Sequence, residues 1–492
     1  MSIIAFVKLG KHIFGVGVMT GISRVFGYVR DAMVARVLGA GRLSDIFFAA
    51  FKLPNLFRDL LGEGALSAIF IPMFTDQKKD ENFAKNVFSW LVVILLGITL
   101  LFEIFMPLII FILAPGFFHD PGKVALTIFT ARVMFFYVIF ICVAAFLSAV
   151  LNAFSKFALA AFMPVLLNVM LICLLFFLGG HVNETLLFMM ALTVVASGVL
   201  QVIILLGRIR SKHFGLKLIV PKWTPKIKQM FKRFAVSIFG NGFYQLNIIV
   251  GTLVASYQSG AVSWLYFSDR IIQLPFAMIG LAAGTVLLSS LSNAIAEKNM
   301  RSVYIQQNSS IRQSMMLIFP SMVGLFVLAN PIIKFLFEYG AWTSASTDAV
   351  SHAIMIQVFV LPAMVISQIY SKTLYAAQDV RTPVKTSIVS LIVASILHVV
   401  LFPFVNYLAI PLGLLISGYL KNYLLARACK KRALFKLEAR TVRAMIAFGT
   451  LSAVFGTVLW FAPINSIFAL GGAIAVFGIL YLPIAYIIGK KI

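Results

Sequence analysis

Long apolar runs, broken at near-regular intervals by proline, glycine and small charge clusters, dominate the chain; Leu91–Leu101 and Leu166–Leu178 are examples. Runs of this kind suit a bilayer crossed as helix, since roughly 20 apolar residues span the ~30 Å hydrocarbon core. In lipid only helices and closed barrels satisfy every backbone group, and the ten-residue alternation of barrel strands does not occur here. The pattern therefore predicts an all-α polytopic membrane protein with 14 transmembrane helices. The predicted spans are 12–38, 44–74, 86–113, 124–151, 157–179, 184–207, 234–257, 262–293, 304–329, 349–376, 383–404, 408–428, 441–462 and 466–488.

Charge then orients these spans. Lys8/Lys11, Lys78/Lys79/Lys85, Lys156, Arg208–Arg233, Lys298/Arg301, Arg381/Lys385, Arg427–Arg443 and Lys490/Lys491 fall on alternate connections. The other side has short connections, near 180–184, 258–261, 405–408 and 463–465, with no Lys or Arg. By the positive-inside rule both termini are cytoplasmic. Within the basic segment 216–233, Trp223, Ile227, Met230, Phe231 and Phe234 recur on one helical face, which predicts an interfacial amphipathic helix meeting inner-leaflet head groups; an ordinary basic loop is the alternative.

The two halves echo one another. Gly41–Phe48 resembles Gly260–Phe267, Gly64 aligns with Gly284, and Ser148–Phe154 resembles Ser371–Ala377, each shifted by about 220 residues. Six spans per repeat makes the repeats parallel, giving two six-helix lobes around a central cavity plus two C-terminal helices. The division reads 1–215 for the N-terminal lobe, 216–233 for the interfacial helix, 234–436 for the C-terminal lobe and 437–492 for a lipid-facing pair. Pro54, Pro72, Pro164, Pro275, Pro320 and Pro362 interrupt spans and mark kinks.

Composition agrees: 61% of residues are hydrophobic and 12% charged, against about 25% charged in soluble domains. The formal charge of +25 sits at helix ends, so lipid head groups rather than nucleic acid are its partners. Cys142, Cys173 and Cys429 lack disulfide or metal spacing, and no cleavable signal pattern precedes Arg24.

Against this apolar background stands one charged constellation: Arg24, Arg30, Asp31, Asp45, Lys52, Arg58, Asp59 and Glu63, with Asp269 and Arg270 in the second half. Three arginines at mid-bilayer cost together on the order of 8–10 kcal/mol, so they must face water or partners. Arg24, Gly27 and Asp31 share a helical stripe, and Asp45, Lys52 and Asp59 recur by sevens. The acids are too interleaved with Arg to form a catalytic or metal cage; they support the arginines, whose planar forks suit phosphate. The competing reading is that Arg–Asp pairs merely lock helices together. No P-loop, HExxH or Ser/His/Asp grouping occurs, which predicts a protein that is not an enzyme and carries no cofactor.

The motifs at Ser23–Asp31, Phe51–Ser67, Ser263–Arg270 and Asp379–Lys385 resemble the MurJ/MviN lipid II flippase family of the multidrug/oligosaccharidyl-lipid/polysaccharide exporter superfamily. The resemblance spans nearly the whole chain. It implies flipping of undecaprenyl-pyrophosphate-linked disaccharide-pentapeptide from inner to outer leaflet of the bacterial cytoplasmic membrane. It also implies that Arg24, Arg30, Arg58 and Arg270 contact the head group, that Asp45 matters to the cavity, and that the last two spans hold the polyprenyl tail. A monomer working beside cell-wall synthesis machinery is the expected setting. Some relatives bind sodium through carboxylates in the second lobe, but no acid occurs over 227–268 or 380–437, so sodium is doubtful here. A flippase for another polyprenyl-linked saccharide, or a drug/cation antiporter of the same fold, are the competing functions.

Overall fold

The computed structural model describes residues 3–62, 65–76, 80–154, 156–211, 214–462, 464 and 466–491. Every regular element in them is helical. The first eight helices are α1 (Ile3–Leu38), α2 (Arg42–Phe57), α3 (Ala65–Asp76), α4 (Glu81–Leu113), α5 (Pro121–Phe135), α6 (Tyr137–Ala153), α7 (Phe157–Leu178) and α8 (Glu184–Arg210). After them come α9 (Pro225–Ala255), α10 (Ala261–Pro275), α11 (Ala282–Ala296), α12 (Met300–Phe337), α13 (Ser344–Gln357) and α14 (Leu361–Ala376). The series closes with α15 (Arg381–Val405), α16 (Ala409–Lys431), α17 (Ala439–Trp460) and α18 (Ile467–Lys491). All the predicted spans fall on these helices. Among the described residues, nine segments are long and apolar enough to cross a membrane.

The chain divides into two compact units, Met1–Gln245 and Leu246–Ile492. In the first, α2 packs on α5, α3 on α6, α4 on both α5 and α6, and α8 on α6 and α7. In the second the same scheme recurs: α10 on α13, α11 on α14, α12 on α13 and α14, and α16 on α14 and α15. Even the irregularities repeat. A π-helical turn at Arg58–Gly62 separates α2 from α3, and another at Phe276–Leu281 separates α10 from α11. Each follows a proline, Pro54 or Pro275, which has no N–H to give the helical ladder and so invites a local rewinding.

One expectation changes. No separate interfacial helix occupies 216–233: α9 begins at Pro225 and runs unbroken to Ala255, and residues 214–224 are non-helical. Proline favours the first helical position, and polar side chains of α4 claim the backbone before it. Asn86 accepts from Lys222 N and donates to Lys222 O, both at 2.8 Å, while Ser89 Oγ accepts from Ile219 N at 2.9 Å. Trp90, Trp223 and Phe231 stack over the junction.

Candidate functional site

The α1–α7 seam fixes the first part of the charged constellation. Arg30 and Asp31 are 5% and 2% exposed, with Arg30 Nη2 2.6 Å and Nε 3.1 Å from Asp31 Oδ1. Arg30 Nη1 donates to Asn168 Oδ1 of α7 at 3.0 Å, and Asn168 Nδ2 donates to the Ser23 carbonyl at 3.3 Å. Gly27 lies beside this joint, where a Cβ would make ordinary contact with Asn168 Nδ2 at 3.7 Å. The guanidinium of Arg30 is thus spent on closing a helix–helix joint. Arg24, on the same helix, is exposed.

On α2 the charges lie far apart. Asp45, near its start, is fully buried and receives Lys123 Nζ of α5 at 3.0 Å. That ammonium also sits 4.0 Å from the centroid of the Phe117 ring. Around the pair, Arg42 lies 3.5 Å from Asp120 and 3.9 Å from Glu184, and Asp120 caps α5 by accepting from Lys123 N at 2.9 Å. Arg58 and Asp59 stand at the other end, about 20 Å away along the helix at 1.5 Å per residue. Their side chains are about one-third exposed, 30% and 32%, and 3.1 Å apart. Asp59 Oδ2 also accepts from Gln245 Nε2 at 2.9 Å. Lys52 is half-buried between these ends, and Glu63 lies outside the described residues.

In the second unit Arg270 is half-buried and donates twice to its neighbour one turn back, Tyr266 Oη, at 3.1 and 2.9 Å. Asp269 Oδ1 accepts from Gln357 Nε2 of α13 at 2.8 Å. No group of three or more His, Cys, Asp or Glu among the described residues could hold a metal.

Arg24 is thus exposed and Arg58 and Arg270 are half-buried, whereas Arg30 and Asp45 are buried inside their unit. Sequence reasoning missed Lys123, Asn168, Gln245 and Gln357, and also Glu103 of α4, whose carboxylate lies 4.0 Å from Arg132 of α5. A lone amide such as Asn168 inside the run Leu166–Leu178 was a readable signal, because burying it demands a partner. Lys123, following Pro121-Gly122, carries no comparable signal in the sequence.

Repeated helical units with intramembrane cations define a transporter-type membrane protein. A solved structure described as an inward-facing multidrug resistance MATE family transporter of the MOP superfamily shares the fold. It has a TM-score of 0.68 at 14% identity, covering 84% of this chain and 94% of that one. Nearer is a structure described as lipid II flippase MurJ in an inward closed conformation, with TM-score 0.82 and 23% identity over 97% of this chain and 98% of that one. A probable lipid II flippase MurJ of Rickettsia prowazekii (strain Madrid E) is 31% identical over 426 residues, 86% of this chain and 84% of its own length. The family model for lipid II flippase MurJ matches residues 34–478, and the chain belongs to that family.

Proposed function

We propose that this protein moves lipid II, the undecaprenyl-pyrophosphate-linked peptidoglycan precursor, from the inner to the outer leaflet of the bacterial cytoplasmic membrane by alternating access. Membership of the flippase family supports the cargo. The observation that carries the site is the division among the arginines: Arg24, Arg58 and Arg270 are exposed or half-buried on apolar helices, where charge is costly, whereas Arg30 is buried. We assign these three to the pyrophosphate and head group. Arg30, with Asp31 and Asn168, braces α1 against α7 so that Arg24 is held in place. Lys52, Asp59, Asp269 and Glu63 tune the local field, and Asp45 acts through Lys123.

The same reading takes the helices as 14 spans. α2–α3, α5–α6, α10–α11 and α13–α14 each count as one interrupted span, and α15 and α16, whose joint at Asn406 has φ 51°, count as an antiparallel pair. Cations at alternate connections put both termini in the cytoplasm. Transport involves no covalent chemistry and no sodium site of the carboxylate type; the cargo binds to a monomer that works beside the cell-wall synthesis machinery.

Arg24→Ala, Arg58→Ala and Arg270→Ala test the assignment one at a time in cells depleted of other flippase. The expected result is a folded, membrane-inserted protein and a lipid-linked precursor that no longer reaches the outer face. Normal outer-face precursor with all three variants would sink the site. Normal peptidoglycan export after removing the protein itself would favour a different polyprenyl-linked saccharide as cargo.

A further inference from the structure

At one end of the second unit, residues of α12 and α17 line a recess of about 470 Å³. Its lining mixes apolar side chains, Leu328, Phe335, Leu459 and Ile464, with Lys334, Trp460 and Asn330. Three observations describe what would fit it. First, Lys334 is exposed and no ion pair engages it among the described residues. Second, both helices end here, so their carbonyl ends bring partial negative charge, and the Asn330 amide is bonded at 2.8 Å to Asp348, a full carboxylate. Third, Trp460, which lines it, is 60% exposed, as befits a residue at the boundary between acyl chains and head groups.

A cation and a set of anionic ends side by side, above apolar walls at membrane-interface height, complement a zwitterion with two tails. We propose that this recess binds one glycerophospholipid with an ethanolamine head. Lys334 meets the phosphate, the carbonyl end of α17 and Asp348 face the ammonium, and the apolar walls take the first acyl carbons. A dianionic pyrophosphate fits worse, because it would meet one cation and two negative helix ends. The site is separate from the arginines assigned to cargo, and its placement in the outer leaflet follows the orientation proposed above.

The test uses the purified full chain in nanodiscs containing a photoreactive phosphatidylethanolamine, with labelled peptides read by mass spectrometry. Labelling should fall on 327–335 and 459–464. Lys334→Gln should lower it roughly tenfold, the worth of one charge-assisted hydrogen bond, and Lys334→Arg should restore most of it. Unlabelled phosphatidylethanolamine should displace the probe better than phosphatidylglycerol or undecaprenyl pyrophosphate. Equal thermal stability of the variants guards against misfolding, since Lys334 is exposed. Labelling confined to other peptides, undiminished labelling of Lys334→Gln, or stronger displacement by undecaprenyl pyrophosphate would each overturn the assignment.

Discussion

Removing Lys123 is the sharpest perturbation available in the first unit. Its ammonium lies 3.0 Å from Asp45 Oδ2, with side-chain exposures of 8% and 0%. At that distance and an effective dielectric near 20, the attraction is about 5–6 kcal/mol. The Phe117 face adds about 1–2 kcal/mol where water is excluded. Desolvating two ions offsets several kcal/mol each, so the intact pair is close to neutral overall. The asymmetry is what can be measured: an orphaned buried charge costs about 3–5 kcal/mol. Lys123→Met and Asp45→Asn should each destabilise by that amount. The double variant should cost no more than either single change, giving a coupling energy of about 3–5 kcal/mol. Reversible unfolding in mixed micelles, followed by tryptophan emission, supplies the four corners of the cycle. Strict additivity of the two single losses, or a Lys123→Met protein as stable as the parent, would show that the pair is not the buried clamp described here. Asp45 would then have to be reconsidered as a residue that touches cargo.

Three other outcomes follow from the same geometry. Asn308→Ala deletes the donor to Lys436 O (2.8 Å) and the acceptor for Glu438 N (3.1 Å), so it should cost about 2–3 kcal/mol and expose 432–438 to limited proteolysis. Gly198→Ala should cost about 1–3 kcal/mol in thermal unfolding, because a Cβ there would lie 2.7 Å from Tyr137 Cδ2 and 2.8 Å from Phe140 Cβ, both on the packed face of α6. Asp379, in the connection before α15, resists a burial that favours its neutral form. Bonds from Thr382 and the Arg432 charge outweigh that burial and hold the carboxyl below its usual range. Because the folded value is lowered, its contribution is complete above about pH 4 and disappears as pH falls through the folded value. Asp379→Asn should therefore destabilise by about 1 kcal/mol at neutral pH and converge with the parent in acid, as read by pH-dependent melting.

Hydropathy made the helices legible because burial in lipid leaves an unbroken apolar signature that needs no partner to interpret. Partner choice was not legible. Asp45, Lys52 and Asp59 recur by sevens on α2, yet Asp45 is satisfied by Lys123, 78 residues away on another helix. Helical register reports which residues share a face; it is silent about which helix that face meets. For the same reason Arg30 looked equivalent to Arg24 and Arg58, although only Arg30 lies opposite an amide, Asn168, that can occupy its fork. The segment before α9 shows a different failure. Its apolar period is genuine, with Ile227 and Met230 buried, but the helix cannot extend back through Lys222, whose N–H and carbonyl are both held by Asn86.

That asparagine exposes a deeper layer of the repeat than the sequence matches do. Asn86 on α4 and Asn308 on α12 each grip the backbone that follows the sixth span of their own unit, donating through Nδ2 and accepting through Oδ1. The residues around them share almost nothing: Lys85-Asn86-Val87-Phe88 against Gln307-Asn308-Ser309-Ser310. A backbone clamp survives such drift because it asks for one amide at one place and reads no side chain in the segment it holds. The charges assigned above to the head group follow the opposite rule. The π-helical turn of the first unit carries Arg58 and Asp59, whereas the matching turn, Phe276–Leu281, carries no charge at all. In the second unit the cation is Arg270, on the helix ahead of its turn and braced by Tyr266. The frame is thus duplicated while its cationic chemistry is not.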